Sequence, residues 1–334
     1  MIIESLMKAQ SGQHLTEEEA FATFREVMNG EVTGESLLAA LLTALQMNGP
    51  DTAEVTGAVR AMRSVCLRVE APEDAVDIVG TGGDGFGTFN VSTTAAIIAA
   101  GAGVIIAKHG NKAATSKSGS ADCLAALGYN LDKTPKEVER DIAEKGIGFL
   151  FANQCHPAMR HVAPVRRELK FRTVFNLLGP LVNPAGVKRQ ALGVYGPDIM
   201  QLYAGALAEL GAEHTLVFCG PGGLDELGLA GCSEVLEMID GKVERKFTFD
   251  PARLFGRYYP IAEIAGGDAA ANARITLAVL EGRECGAPRL AACLNAAAAL
   301  VAGDIADTLE TGFGIAEAAV DSGRALRKLE EMVK

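Results

Sequence analysis

This chain has no long hydrophobic run, no paired-cysteine motif and no excess of basic residues, and each absence narrows what it can be. The longest run of small apolar residues, Ala95 to Ala107, is too short for a membrane span, which needs about 20 residues. The N-terminal MIIESLMKAQ also lacks the charged-then-apolar layout of a signal peptide, so a soluble, unprocessed protein is expected. Its seven cysteines are odd in number and scattered without a CxxC pair, which argues against a disulfide framework or zinc site and favours a reducing cytoplasm. With 31 Lys and Arg against 42 Asp and Glu, a net charge of −11 argues against a general nucleic-acid binder. Prolines are few (12) and 49% of the 334 residues are hydrophobic, enough for large cores in about two domains. There is no internal repeat and no low-complexity segment.

One further absence is local. No Asp or Glu occurs between Asp84 and Asp122, and that window holds Lys108, Lys112 and Lys117. A cation about 4 Å from an anion is worth roughly 4 kcal/mol at an effective dielectric of 20, and a stray carboxylate would cost a similar amount. The window therefore reads as the surroundings of an anionic ligand.

The first 70 residues read as helices. Thr16 with Glu19 forms one capping box, Asp51 with Glu54 resembles another, and Gly49 closes LLAALLTALQMNG. Leu37, Leu38, Leu41, Leu42 and Leu45 give a broad apolar face that a dimer partner or the next domain must cover. From Val76 short apolar runs alternate with helical segments: VDIVG, STTAAIIAAGAG, VIIAK, SGSADCLAALG, a helix from Pro135 to Lys145, and IGFLFA. The pattern resumes with ALGVYG, a helix from Asp198 to Leu210, HTLVFCG, and a hairpin turning at Asp240 and Gly241, before the chain returns to helices. This predicts an α/β fold with a mostly parallel central sheet beside a small N-terminal helical domain. The intervening HPAMRHVAPVRRELKFRTVFNLLGPLVNPAG breaks the alternation and suggests a connection crossing back between domains.

Gly80, Gly82 and Gly85 satisfy GxGxxG, but GDGFGT continues as loop and no ribose-binding acid follows about 20 residues later, so the dinucleotide reading fails on context. A strand ending in a glycine turn whose amides form an anion nest fits better. NVST at Asn90–Thr93 begins a helix, KHGN at Lys108–Asn111 follows a strand, and SKSGS at Ser116–Ser120 begins another helix. We read these as three successive strand-end loops with one chemistry. GGLDELGLAG places Asp225 and Glu226 in a loop after a strand, where two carboxylates opposite a polyphosphate suit magnesium. Without a Walker motif, the set points away from P-loop ATPases.

GTGGD, NVST, KHGN, SKSGSAD, HPAMRHVAPVRREL, FNLLGPLVNPAG and LDE occur in an order that resembles the anthranilate phosphoribosyltransferases, over about residues 1–330. The resemblance implies a helical dimerisation domain at 1–70, with a returning segment near 160–185, and a catalytic α/β domain at 71–334. It implies transfer of phosphoribose from phosphoribosyl pyrophosphate (PRPP) to anthranilate in tryptophan biosynthesis, by a cytoplasmic homodimer with two Mg2+ ions per subunit. PRPP would meet Gly80, Gly83, Asp84, Thr88, Asn90, Val91, Ser92, Thr93, Lys108, His109, Gly110, Asn111, Lys112, Ala113, Ala114, Thr115, Ser116 and Ser120. Magnesium would meet Ser92, Asp225 and Glu226, and anthranilate would meet Gly80, Asn111, His156, Arg166 and Pro180. Lys108, His109, Asp225 and Glu226 are the expected catalytic groups, with His109 a candidate late proton acceptor.

Two departures stand out. Lys112 replaces the usual Arg after KHGN, losing bidentate geometry, and Gly228 stands where the family commonly has serine after LDE. Competing readings are a pyrimidine-nucleoside phosphorylase, a transferase with another small aromatic acceptor, and a noncatalytic relative that binds nucleic acid. Cys155 beside His156 reads as a buried thiol rather than a nucleophile.

Overall fold

The computed structural model describes residues 1–32, 34–113 and 117–334. Four helices open the chain: α1 (Ile2–Gln10), α2 (Glu17–Met28), α3 (Glu35–Asn48) and α4 (Thr52–Ser64). Both expected capping boxes form, at Thr16–Glu19 and Asp51–Glu54, and Gly49 ends α3 with φ 75°. Leu38, Leu41, Leu42 and Leu45 are buried, and each fully buried leucine is worth roughly 1.5–3 kcal/mol relative to exposure. The helices do not complete this core alone. Val165, Val174, Phe175, Leu177, Leu178 and Leu181 return to it from a segment more than 90 residues downstream, and Phe175 meets Phe24 edge-on at 5.6 Å.

The α/β part runs β1 (Val76–Gly80), α5 (Val91–Ala102), β2 (Ile106–Gly110), α6 (Ser120–Ala126), α7 (Pro135–Lys145), β3 (Ile147–Phe151), β4 (Arg189–Gly193) and β5 (His214–Cys219). The hairpin β6 (Ser233–Ile239) and β7 (Lys242–Phe249) follows, turning at Asp240 and Gly241. One seven-stranded sheet has the order β3-β2-β1-β4-β5-β6-β7, with β1–β5 parallel and the hairpin antiparallel. The strand read as VIIAK starts two residues later than expected, because Val104 and Ile105 are used to climb from α5 into the sheet. The helix Ala287–Ala302 is buried on all sides against α5, which its alanines permit by allowing close backbone approach.

A buried polar knot fixes the sheet beneath the site. Asp77 accepts the His109 amide at 3.0 Å and Asn183 Nδ2 at 2.8 Å, while Asn183 also donates to the Ala107 carbonyl at 2.9 Å. Burial pushes the Asp77 carboxyl up to about 6, against the pull of Lys108 and these donors. Replacing Asn183 with Ala leaves Asp77 short of a donor and is expected to lower unfolding free energy by about 2–3 kcal/mol at pH 8. The folded carboxyl binds its proton more tightly than the unfolded one, so the loss shrinks as pH falls through about 6. Urea unfolding at pH 8 and pH 5 checks both, and an equal loss at both values would contradict the account.

Candidate active site

The chain fills β1, β2 and β3 outward on one side and then returns to place β4 on the other side of β1. Ligands of open α/β sheets bind outside the carboxyl ends of strands at such a reversal. Here Gly80 of β1 and Gly193 of β4 are register partners, and the Asp225 loop crosses both. A Cβ on Gly193 would strike the Asp225 carbonyl oxygen, and one on Gly80 would strike its carboxylate. The two glycines thus seat Asp225 over the switch point.

Asp225 Oδ2 accepts the Gly82 amide at 2.5 Å, and Glu226 Oε1 accepts the Ser92 amide at 3.1 Å. Burial, followed by the charge of Asp84, pushes Asp225 up to about 7. Burial and the charge of Asp225 raise Glu226 well above its ordinary value, against the pull of Lys108. Such a pair is stable as carboxylates only beside positive charge. Asp84, Asp225 and Glu226 do not bring three oxygens within 4.8 Å of one another. A divalent cation there would keep ligand positions for waters and phosphate oxygens, as Mg2+ prefers. The residues fit that ion.

Gly82, Gly83, Gly85 and Gly87 all have positive φ, so the segment stays a loop until α5 begins at Val91, as the failed dinucleotide reading requires. Val91 and Thr93 point into the core, leaving Ser92 on the outer side of the first turn. Beside the glycine loop lies a cavity of about 680 Å³ lined by Gly83, Asp84, Thr88, Lys117, Ser118 and Gly266, among others. It falls within the usual size range of small-molecule sites. Asn90 Oδ1 accepts from Asn272 Nδ2 at 2.8 Å and from Ser118 Oγ at 3.3 Å.

The acid-free window is arranged differently from the expectation in two respects. Its motifs occupy two strand-end connections, not three, because KHGN and SKSGS both belong to the connection between β2 and α6. Nor do the three lysines converge. Lys108 lies within β2, 3% exposed, and donates to the Ile78 carbonyl at 2.5 Å, its pKa lowered by burial. Lys112 lies 5.9 Å over the Phe151 ring, and Lys117 lines the cavity. Asp122, which ends the acid-free stretch, accepts the amides of Ala113 and Gly119, each at 2.9 Å. Asn111 and Ser120 bond each other, and Gly110 packs between Ser120 and Phe149. The expected positions Ala114, Thr115 and Ser116 lie outside the described residues.

His109 and His156 meet edge-on at 5.3 Å, next to the Gly179–Pro180 backbone. His109 Nδ1 donates to the Gly179 carbonyl at 3.2 Å, and the Pro180 carbonyl accepts from Gln190 Nε2 at 2.9 Å. Both histidine Nε2 atoms are buried without a hydrogen-bond partner among the described residues. Burial lowers His109 to about 3 and His156 to about 4. Arg166, in the helix Ala163–Leu169, lies 5.7 Å over the Phe175 ring and has no carboxylate partner among the described residues. Cys155 is buried and its thiol is pushed up to about 12, which rules it out as a nucleophile at neutral pH. Gly228 is explained locally, since any Cβ there would strike the Pro221 ring, and its amide donates to Ser233 Oγ at 3.1 Å.

Sequence reasoning missed Arg172, Asn272 and the Ala265–Gly267 turn. Thr88 pairs with Ala265, and Gly266 donates to the Gly87 carbonyl at 2.9 Å. This wall lies beyond the LDE motif, and in the sequence only the Gly266–Gly267 pair marks it. The other converging group, His14, Asp51 and Glu54, is taken up by capping: Glu54 accepts Leu15 N, Asp51 N and His14 Nδ1.

Histidines held neutral in the fold but free to protonate when unfolded give stability that is complete above pH 6.5 and lost as pH falls toward their folded values. From pH 7 to pH 5 each should contribute about 2 kcal/mol to the loss. His156→Gln should flatten the pH dependence of urea unfolding by that amount, and an unchanged slope would contradict the burial argument.

Residues 3–66 match the helical bundle domain of a glycosyl transferase family and residues 72–326 match its a/b domain. The anthranilate phosphoribosyltransferase of Rubrobacter xylanophilus is 50% identical, covering all of this chain and 97% of the relative, and that of Nitrobacter hamburgensis is 51% identical over 98% and 96%. The crystal structure of the Thermus thermophilus anthranilate phosphoribosyltransferase superposes with a TM-score of 0.93 at 43% identity, covering 98% of each chain. The Saccharomyces cerevisiae enzyme in complex with PRPP and Mg superposes at 0.90 with 30% identity, over 99% and 96%. With paired glycines, acid loop and glycine turn set on this fold, the chain belongs to the anthranilate phosphoribosyltransferase family of glycosyl transferases.

Proposed function

We propose that the protein transfers the phosphoribosyl group of PRPP to the amine of anthranilate, releasing pyrophosphate, in tryptophan biosynthesis. The observation that carries this reading is the seat of Asp225 and Glu226 over the switch point, facing a glycine loop beside an open cavity. The yeast relative has been solved with PRPP and Mg and with 4-fluoroanthranilate.

Asp225, Glu226 and Ser92 would hold magnesium, two ions per subunit in our reading, which when bound neutralises the leaving pyrophosphate. The protein's own part is to hold the two substrates in line. The loop amides that Asp225 and Asp84 leave open, those of Gly83 and Asp84 first, cradle phosphate, with Asn90 braced by Ser118 and Asn272 and Lys117 at the rim. Lys108 acts from below: its buried charge steadies Glu226 and Asp77. Arg166 grips the anthranilate carboxylate, its guanidinium paired with no acid among the described residues. An aromatic amine is already nucleophilic, and a His109 that protonates only near pH 3 is a poor base. His109 and His156 therefore act by position, forming with Pro180 a dry wall against which the acceptor ring packs.

We divide the chain into a helical part at 1–70, completed by residues near 160–185, and an α/β part at 71–334. Ile3 and Met7 on α1, and Met47 on α3, are 61%, 67% and 83% exposed, and they support a homodimer through the helical part. No described helix is long and apolar enough to cross a membrane, and the seven cysteines are free thiols, which supports a cytoplasmic site.

Loss of anthranilate fluorescence that requires PRPP, magnesium and protein together is the expected result, and no loss with all three present would overturn the acceptor assignment. Asp225→Asn with Glu226→Gln should cut turnover by about 100-fold or more while leaving thermal stability unchanged or higher, because two costly buried charges are removed. Unchanged turnover at limiting magnesium would rule out the metal role. Arg166→Ala should raise KM for anthranilate by about tenfold to a hundredfold, the worth of a charge-assisted pair, with KM for PRPP little changed. The reverse pattern would assign Arg166 to PRPP instead.

A further inference from the structure

Arg172 lies six residues beyond Arg166, in the stretch between the helices Ala163–Leu169 and Phe175–Leu178. It is exposed and pairs with no described carboxylate, yet its guanidinium is held in place. It lies 3.8 Å over the Tyr195 ring, and Nη2 donates to the carbonyl of Gly83. Both partners belong to the site. Gly83 lines the cavity, and the Tyr195 carbonyl packs so closely on Gly223, in the Asp225 loop, that a Cβ there would clash. Arg172 therefore links three pieces: the returning segment with Arg166, the glycine loop and the loop of acids.

We propose that Arg172, steadied on Tyr195, is a positioning residue that sets the glycine loop for PRPP by holding the Gly83 carbonyl. The physical reason is the planar trans peptide, in which the carbonyl of one residue and the amide of the next point opposite ways. Fixing the Gly83 carbonyl toward Arg172 fixes the Asp84 amide away from it, and it keeps a carbonyl dipole from turning toward phosphate. Asp225 holds the Gly82 amide and Asp84 the Phe86 amide, so without Arg172 it is the peptide between them, following Gly83 with its positive φ, that is left to sample other orientations. The planar guanidinium matters because it stacks and donates at once, which a lysine cannot do.

This rests on the PRPP reading above, so the test uses PRPP and magnesium without acceptor, and the anthranilate assignment stands or falls separately in the fluorescence assay. Calorimetry on the full chain should show Arg172→Ala weakening PRPP about fivefold to tenfold, with Tyr195→Leu acting in the same direction and the double variant no worse than Arg172→Ala alone. Tyr195→Phe, which keeps the ring but removes the hydroxyl that bonds Arg172, should weaken PRPP less than Tyr195→Leu does. Arg172→Lys should stay as weak as Arg172→Ala. In turnover, KM for PRPP should rise with kcat at saturating PRPP nearly unchanged. Full rescue by Arg172→Lys together with an inert Tyr195→Leu would make Arg172 a direct phosphate ligand and overturn the proposal. A fall in thermal stability with unchanged PRPP affinity would reduce it to a structural contact and overturn it equally.

Discussion

Asp225 can lie across the ends of β1 and β4 only because two paired strand-end residues, Gly80 and Gly193, carry no side chain. From that close approach the rest of the site is placed. The Asp225 carboxylate takes the Gly82 amide and starts the glycine loop, and Glu226 takes the Ser92 amide and fixes the first turn of α5. Two acids are thereby held buried, at a cost that positive charge beside them offsets. The site is built around that unmet need.

Beneath it the sheet supplies charge in a less direct way than the lysine count suggests. Lys108 lies inside β2 with Asp77 and Glu226 near it, so its charge acts through the low-dielectric interior rather than by reaching a ligand. The neutral pair His109 and His156 completes a dry flank. Their low basicity and the burial of the Cys155 thiol leave this flank with packing surfaces and no acid–base or nucleophilic group active at neutral pH.

Much of this was legible from local patterns, because capping boxes, strand-end glycines and the Asp240–Gly241 turn each depend on neighbours a few residues apart. The motif residues Gly80, Ser92, Asp225 and Glu226 are brought together as their order suggested. What escaped was set by distance in the chain. Nothing near Arg172 announces that its guanidinium will meet Tyr195 and Gly83, and Asn272 has no local signal for its bond to Asn90, 182 residues away. Lys108 differs for a related reason: a lysine after VIIA looks like a strand-end group, but β2 runs two residues further. In the sequence Gly228 reads as a lost hydroxyl, whereas in the fold the Pro221 ring occupies the space a side chain would need.

The returning segment also bears on how the chain is made. On the ribosome, α1–α4 emerge first, yet Val174, Phe175, Leu177 and Leu178, which close their core, are synthesised more than 100 residues later. By then β1, β2, β3 and their helices have all been synthesised, so the apolar seam of the bundle stays open while the first half of the sheet is made. That makes the stretch from α4 to β4 the period in which a chaperone or a second nascent chain has most to cover.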